Sequence, residues 1–387
     1  MSLWHTKNEE VLFKKEHPLK VECSRQKLFE ALSVTCPVAS SRTALPILQT
    51  LRLEAENGYL NVLGCDGEIW AEHQIPARVA QSGSVCLSAK LLLDLVSSLP
   101  DGDISLEQDG NLFYLKQGNS DWKMLPLPAD QFPEPPYVES HAELKLPVGE
   151  IQEAISCIDH ATAEDESRPI LTGILFSYDG VMLTMVATDT YRLAVLHMDK
   201  PGIGAEIEVV VPEKALKALK NLPLALDKEI TLCFDDRRLF IETEDSRIVA
   251  QLLAGSFPNW KSVIAGDRSR SWTFDRKEFI EHLKRAMILG RDAANKIYLK
   301  GFEDLIEISA QSADKGEAKE EVEAVCKHNG VEEVRFALNG RYMLDALTAL
   351  KSEEILAEFE DAARPIVLRG SEKGDQHYCM IMPMVLG

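Results

Sequence analysis

No stretch of about 18 uncharged apolar residues occurs in the 387-residue chain, which argues against a membrane-spanning helix. The first 18 residues, "MSLWHTKNEEVLFKKEHP", lack the apolar segment of a secretory signal; residues 1–18 therefore read as an N-terminal extension. Paired cysteines are missing too. The eight cysteines (23, 36, 65, 86, 157, 233, 326 and 379) form no Cys-x-x-Cys, so reduced, mostly buried thiols and a cytoplasmic location are expected. Cys326 and His328 are two potential ligands without two more, and neither a metal nor a cofactor is expected. Positive charge is scarce. With 42 Lys and Arg against 62 Asp and Glu, the net charge of −20 argues against a general nucleic-acid binder, whose footprint is normally basic.

Catalytic patterns are also lacking. The chain has no Walker loop, no Gly-x-Ser-x-Gly and no His-Glu-x-x-His. Gly202-Ile203-Gly204 is a lone Gly-x-Gly in a linker, and Asp101 with Asp103 reads as a turn after a helix. Asp189 in "ATDTYRLAV" sits near Tyr and Arg; its reading as a strand-end carboxylate bonding nearby amides is preferred over a catalytic one. A non-enzyme is expected.

What the chain does have is repetition. "SRTALPILQTLRLEAENGYLNVLGCDGEIWAEH" and "SRPILTGILFSYDGVMLTMVATDTYRLAV" share an Arg, a Pro-Ile-Leu, an alternating run, a Gly turn and a second alternating run. Pro46 and Pro169 are 123 residues apart, and Phe132-Pro133 precedes Phe257-Pro258 by 125. A further step of that size reaches Pro383 in the closing "MPM". Three units follow, at 19–143, 144–266 and 267–387.

Each unit is expected to hold two helices backed by antiparallel sheet, an α+β architecture. The first helices are "SRQKLFEALSVTC", "VGEIQEAISCIDHAT" and "DRKEFIEHLKRAMIL"; the second are "SAKLLLDLVSSLP", "PEKALKALKNLP" and "NGRYMLDALTALK". Asp275 and Glu278 have capping-box spacing, and Phe279, Leu283, Ala286 and Met287 form a stripe at helical period. Ser88 and Asn339 suit N-caps, and Pro212 suits a first helical turn. Asn57-Gly58, Asp109-Gly110 and Asp179-Gly180 mark turns between strands. The charged run "SADKGEAKEEVEAVCKHNG" in the third unit reads as a solvated loop or edge.

Three tandem α+β units, "LPIL", "VATDTYRLAV", "FPNW" and "MPM", in this order and at these intervals, resemble the bacterial β sliding clamp family. Its members are processivity subunits of DNA polymerase III. The resemblance covers everything after about residue 19. It implies a head-to-tail homodimer closed into a ring of six domains, with helices lining the hole and sheets outside. The implied partners are duplex DNA of any sequence, the polymerase III catalytic subunit, the clamp loader, and other polymerases and repair proteins carrying a clamp-binding peptide. A repeat-built interaction hub without a ring is the alternative.

The charge conflict then resolves locally, because several helices expected to face the hole are basic. The DNA-facing residues would be Arg25, Arg42, Lys90, Arg168, Lys214, Lys217, Lys220, Arg276, Lys284 and Arg285. Arg42 matches a family arginine in the loop before "LPIL", and Arg168 is its repeat mate; Pro169-Ile170 stands where the family often has an aromatic pair. Carried over by position, the partner-peptide pocket would use Leu171, Thr188, Tyr191, Arg192, Leu193, Pro258 and Val263, with Asn339, Tyr342, Met380, Met382, Pro383 and Met384. Thr190-Tyr191 replaces a common Gly-His there, and Ser262 and Val385 stand where a basic residue is common. The dimer contact would use Trp122, Met124, Ile288 and Leu289.

Overall fold

The computed structural model describes residues 18–39, 43–136, 140–165, 167–264, 266, 268–290, 294–312, 314–327, 334–371 and 376–385. Seven α-helices form among them: α1 (Arg25–Thr35), α2 (Ala89–Ser98), α3 (Val148–Ile158), α4 (Glu213–Lys220), α5 (Trp260–Ile264), α6 (Arg276–Gly290) and α7 (Gly340–Ala349). Six are the helices that the apolar spacing predicts. In α6 the expected stripe of Phe279, Leu283, Ala286 and Met287 is buried. The starts are fixed by side-chain acceptors, as orphan amides of a first turn require. Ser88 Oγ accepts from Leu91 N at 3.5 Å, Asn339 Oδ1 from Arg341 N at 2.9 Å and Asp275 Oδ1 from Glu278 N at 2.8 Å. Pro212 differs from expectation: it is the extended residue before α4, at ψ 136°, and lies outside the helical turn.

Two compact units divide the chain. Unit 1 is Met1–Gln152, Ile203–Ala205 and Val211–Leu252; unit 2 is Glu153–Gly202, Glu206–Val210 and Leu253–Gly387. The boundary runs through the second repeat, because each unit contains a sheet shared by two repeats.

In unit 1 an eight-stranded sheet runs in the order Ala142–Pro147, Glu229–Phe234, Arg238–Glu242, Ser246–Gln251, Ile69–Pro76, Tyr59–Cys65, Thr50–Glu56 and Gly83–Ser88. Its first four strands are second-repeat sequence and its last four first-repeat. They meet at one antiparallel seam, with Ser246 opposite His73 and Val249 opposite Trp70. A five-stranded sheet beside it runs Arg78–Gln81, Lys20–Ser24, Asp103–Asp109, Leu112–Gln117 and Ser120–Met124. The Thr50–Glu56 hairpin turns on Asn57-Gly58 at φ 53° and 84°, the doubly positive pair that a two-residue turn demands. Gly204 has a different reason to be glycine. A Cβ there would lie 1.7 Å from the Glu143 carbonyl oxygen, so Gly204 serves a close backbone approach, whereas Gly202 takes a positive φ of 75°.

Unit 2 holds a twelve-stranded sheet: Ile207–Pro212, Gly173–Tyr178, Met182–Thr188, Arg192–Asp199, His377–Ile381, Ile366–Gly370, Glu354–Phe359, Arg270–Asp275, Gly316–Lys327, Leu305–Ser312, Lys296–Gly301 and Val334–Asn339. Its seam between second and third repeats pairs Arg192 with Ile381 and Leu193 with Met380. The same geometry joins both repeat pairs. Gln251 N donates to Glu68 O at 2.9 Å in the first seam, and Met382 N to Tyr191 O at 2.8 Å in the second.

The charged run of the third repeat is not a loop. Residues Gly316–Lys327 form a strand paired with Leu305–Ser312 and, at its far end, with Arg270–Asp275. Val322, Ala324 and Cys326 are buried while Glu323 and Val325 between them face out, an alternation that the charge density conceals. Among the described residues no helix is long and apolar enough to cross a membrane. All eight cysteines are free thiols, and burial pushes Cys23, Cys36 and Cys65 up to about 12. His328 lies outside the described residues.

The first seam has a pH signature. His73 is buried there, its Nδ1 2.7 Å from Ser246 Oγ, and burial depresses its pKa to about 4. The unfolded chain therefore takes up a proton that the folded chain refuses. This contribution is complete above the ordinary histidine value of about 6.5 and is lost as pH falls from there through about 4. Between pH 7.5 and 5.0, unit 1 is expected to lose on the order of 2 kcal/mol through His73. Urea midpoints at the two pH values check this, and His73→Gln should remove most of the difference.

Candidate nucleic-acid interface and peptide groove

The helices place their basic residues unevenly. In unit 1, α1 lies against α2 and α4, and Asn221 Nδ2 donates to Ser33 O at 2.8 Å. In unit 2, α6 lies against α7, and Lys351 Nζ meets Glu153 at 2.8 Å. Two expected DNA-facing arginines are tied into this framework. Arg25 donates through Nε to Val96 O and through Nη2 to Ser97 O, both at 2.9 Å, at the end of α2. Arg276 donates through Nε to Ser352 O at 2.8 Å and through Nη1 to Leu347 O at 3.3 Å, at the end of α7. The second repeat uses Gln152, whose Nε2 donates to Leu219 O and Leu222 O at 3.3 and 3.2 Å after α4. Arg25 and Arg276 thus satisfy orphan carbonyls, which charge counting along the sequence does not reveal.

Other expected cations carry partners. Lys214 meets Asp66 at 3.0 Å and Lys217 meets Glu213 at 2.8 Å. Arg285 donates from Nη2 to Glu320 at 2.9 Å and holds that carboxyl below its usual range. Lys220 is half-buried, and Arg168 is exposed at the start of the short turn Pro169–Thr172. Lys90 and Lys284 are exposed with no ion pair among the described residues. Arg42 lies outside the described residues. The helix surface therefore carries scattered cations, many already neutralised, which suits weak contact with a polyanion.

The second seam gathers an apolar cluster in unit 2 that is partly open at its surface. Leu193 and Met380, opposite one another, are 2% and 3% exposed and form its floor with Leu175, Val186 and Val367. Ile170, Phe257, Trp260, Ile264 and Met382 pack on that floor half-buried. Leu171 is buried beside Ile170, while Pro258, Val263 and Tyr191 are exposed. Pro383 and Met384 are half-buried, and Met384 N donates to Ala337 O at 2.7 Å. Sequence reasoning left out Phe257, Trp260 and Ile264; the "FPNW" motif and the apolar spacing after it were the available signal.

One wall is polar and rigid. Asp189 Oδ1 accepts from Tyr191 N and Arg192 N at 2.8 and 2.9 Å, and its Oδ2 accepts from Arg192 Nε at 3.0 Å. Asp189 is thus the strand-end carboxylate expected from sequence. Arg192 continues to Asp345 at 2.9 Å and lies 4.3 Å over the Tyr342 ring. Burial, then the Asp189 charge, raises the Tyr342 pKa and keeps its hydroxyl protonated. Thr188 Oγ1 donates to Arg192 O at 2.7 Å and accepts from Thr190 N at 3.1 Å. These bonds hold Thr190 at φ 80°, a left-handed conformation strained for a β-branched residue and easy for a glycine. Asn339 is the exception among expected pocket residues, because its side-chain oxygen is committed to capping α7.

At the expected dimer contact, Met124 is only 7% exposed and joins Trp122 in the core of the first repeat, opposite Phe113 and Leu115. Met124 faces its own domain because strand alternation aims both side chains inward. Ile288 is 63% exposed and Leu289 half-buried at the end of α6. Leu91 on α2 and Leu125 after the edge strand, both missed from sequence, are 51% and 81% exposed.

Comparison with known proteins gives this geometry a family. Residues 19–136 match the DNA polymerase III beta subunit N-terminal domain, 145–259 its central domain and 261–385 its C-terminal domain. The chain belongs to the DNA polymerase III beta subunit family. It is 28% identical over 364 residues to the beta sliding clamp of Staphylococcus aureus, covering 91% of this chain and 96% of the relative. The sliding clamp of Bacillus subtilis superimposes with a TM-score of 0.77 at 26% identity, covering 96% of this chain and all of that one. The Thermotoga maritima beta subunit gives 0.82 at 24% identity, with the same coverage.

Proposed function

We propose that two copies of this chain close head to tail into a ring that encircles duplex DNA and slides along it, tethering the replicative polymerase. The domains are taken as 19–143, 144–266 and 267–387, six to a ring. One observation carries this reading: both internal seams join the last strand of one repeat to the fourth strand of the repeat before it. Among the described residues, a third pair of such strands has no mate. The first repeat's last strand, Ser120–Met124, ends its sheet. The third repeat's counterpart, Gly316–Lys327, meets Arg270–Asp275 only from Phe274-Ala324 onward and leaves its acidic beginning unpaired on that side. A second copy supplies both mates, and exposed Ile288, Leu91 and Leu125 gain cover in the same step.

Sliding requires contacts that hold the duplex without reading bases or fixing phosphates. Exposed Lys90 and Lys284, with Arg168 at a turn, supply scattered attraction, and closure supplies retention. The groove at the second seam accepts a short hydrophobic peptide from polymerases, the clamp loader and repair proteins. Its Met380 and Met382 adapt to related ligands. Catalysis has no part in this, and the protein works in the cytoplasm. Sedimentation at micromolar concentration is expected to show a dimer, shifted toward monomer by Ile288→Asp. A persistent wild-type monomer would leave the peptide-binding hub without a ring as the better reading.

A further inference from the structure

The repeats that build the peptide groove also build a second copy of it, at the first seam, in unit 1. Position by position, Leu48 takes the place of Leu171, Trp70 that of Leu193, and Phe132-Pro133 that of Phe257-Pro258. Leu48, Leu63, Cys65 and Phe132 form a buried cluster there, with Ile47 and Trp70 half-buried against it. The backbone frame is the same, since Gln251 N donates to Glu68 O as Met382 N does to Tyr191 O. The filling differs at four places.

Trp70 stands where the second seam has the smaller Leu193, its Nε1 donating to Pro133 O at 3.3 Å. Arg52 replaces Leu175 and pairs with Glu134, and its guanidinium lies 5.7 Å over the Phe132 ring. Phe132 is consequently 4% exposed, whereas Phe257 is half-buried. Glu68 and Gln251 stand where the open groove has Tyr191 and Met382. The first seam is stitched shut by its own side chains.

We propose that Trp70 plugs a latent peptide groove at the first seam, lying where a ligand's apolar anchor lies in the second, so that each chain docks one peptide. This rests on the docking role proposed for the second seam. An indole already in place removes apolar surface from water and must be expelled before any anchor enters. The Arg52–Glu134 pair would be left with broken hydrogen bonds by the same event.

Calorimetric titration of the full chain with a pentapeptide selected on the wild-type protein tests this. Wild type should bind one peptide per chain, and none with Met382→Ala plus Pro383→Ala. Trp70→Leu, which installs the second repeat's own residue, should bind two, one of which survives in the Met382→Ala, Pro383→Ala background. Arg52→Leu with Glu134→Asn loosens the wall by another route and covers the case that Trp70→Leu fails to fold. Its second site should be at least about tenfold weaker than the first, because Trp70 remains. One peptide per chain in every folded variant overturns the plug. Failure of wild type to bind any peptide would strike the docking role itself.

Discussion

Cutting a nicked circular plasmid is expected to release the protein once it has been loaded, while an uncut circle retains it. The reason is the weakness of its attraction to DNA. The net charge is −20, Arg25 and Arg276 bind carbonyls, and Lys214, Lys217 and Arg285 bind carboxylates. With a Debye length of about 8 Å at physiological salt, what remains acts only at close range. Salt separates the mechanisms further. A protein held by 6–10 phosphate contacts loses roughly 10³–10⁵ in affinity between 50 and 200 mM salt. Enclosure predicts a lifetime on the circle that changes less than about tenfold over that range. Gel filtration of the loaded complex before and after cutting reads the outcome. Equal retention on circle and line would rule out enclosure.

Met382→Ala combined with Pro383→Ala should weaken peptide binding by about 100-fold or more, equivalent to roughly 2.7 kcal/mol. Met382 is half-buried on the groove floor, so truncation removes ligand contact surface rather than hollowing a core. The bond from Met382 N to Tyr191 O involves backbone only and survives. The dimer should persist, because Ser120–Met124 and the end of α6 are untouched. Fluorescence anisotropy with a labelled peptide and sedimentation of the same sample check both halves. Unchanged affinity would place the docking site elsewhere.

The helices and repeats were legible because burial imposes periods of 3.6 and 2 on neighbouring residues, and three copies reinforce one another. Gly316–Lys327 escaped as a strand because the five charged residues on its outer face outnumber the three buried apolar ones beneath. Met124 was assigned to an interface because an edge strand is visible in sequence, whereas the face that a side chain takes depends on register with Phe113. Arg25 and Arg276 read as free cations because their carbonyl partners lie about 71 and 76 residues away. The groove was only half visible. Leu193 and Met380 meet across a seam of distant segments, and nothing local announces that Trp70 fills the corresponding place.

The bonds at the ends of α2, α4 and α7 have an electrostatic consequence for whatever passes beside them. A helix terminus that shows bare oxygens carries about half a negative charge and would push a phosphate backbone away. Arg25, Gln152 and Arg276 shield three such termini with N–H donors. Each also prevents a fixed notch of repulsion that would make some rotational settings of the duplex worse than others. In the ring proposed above, a smoother potential would lower the barriers to turning, so these side chains would act as a bearing surface without gripping the cargo.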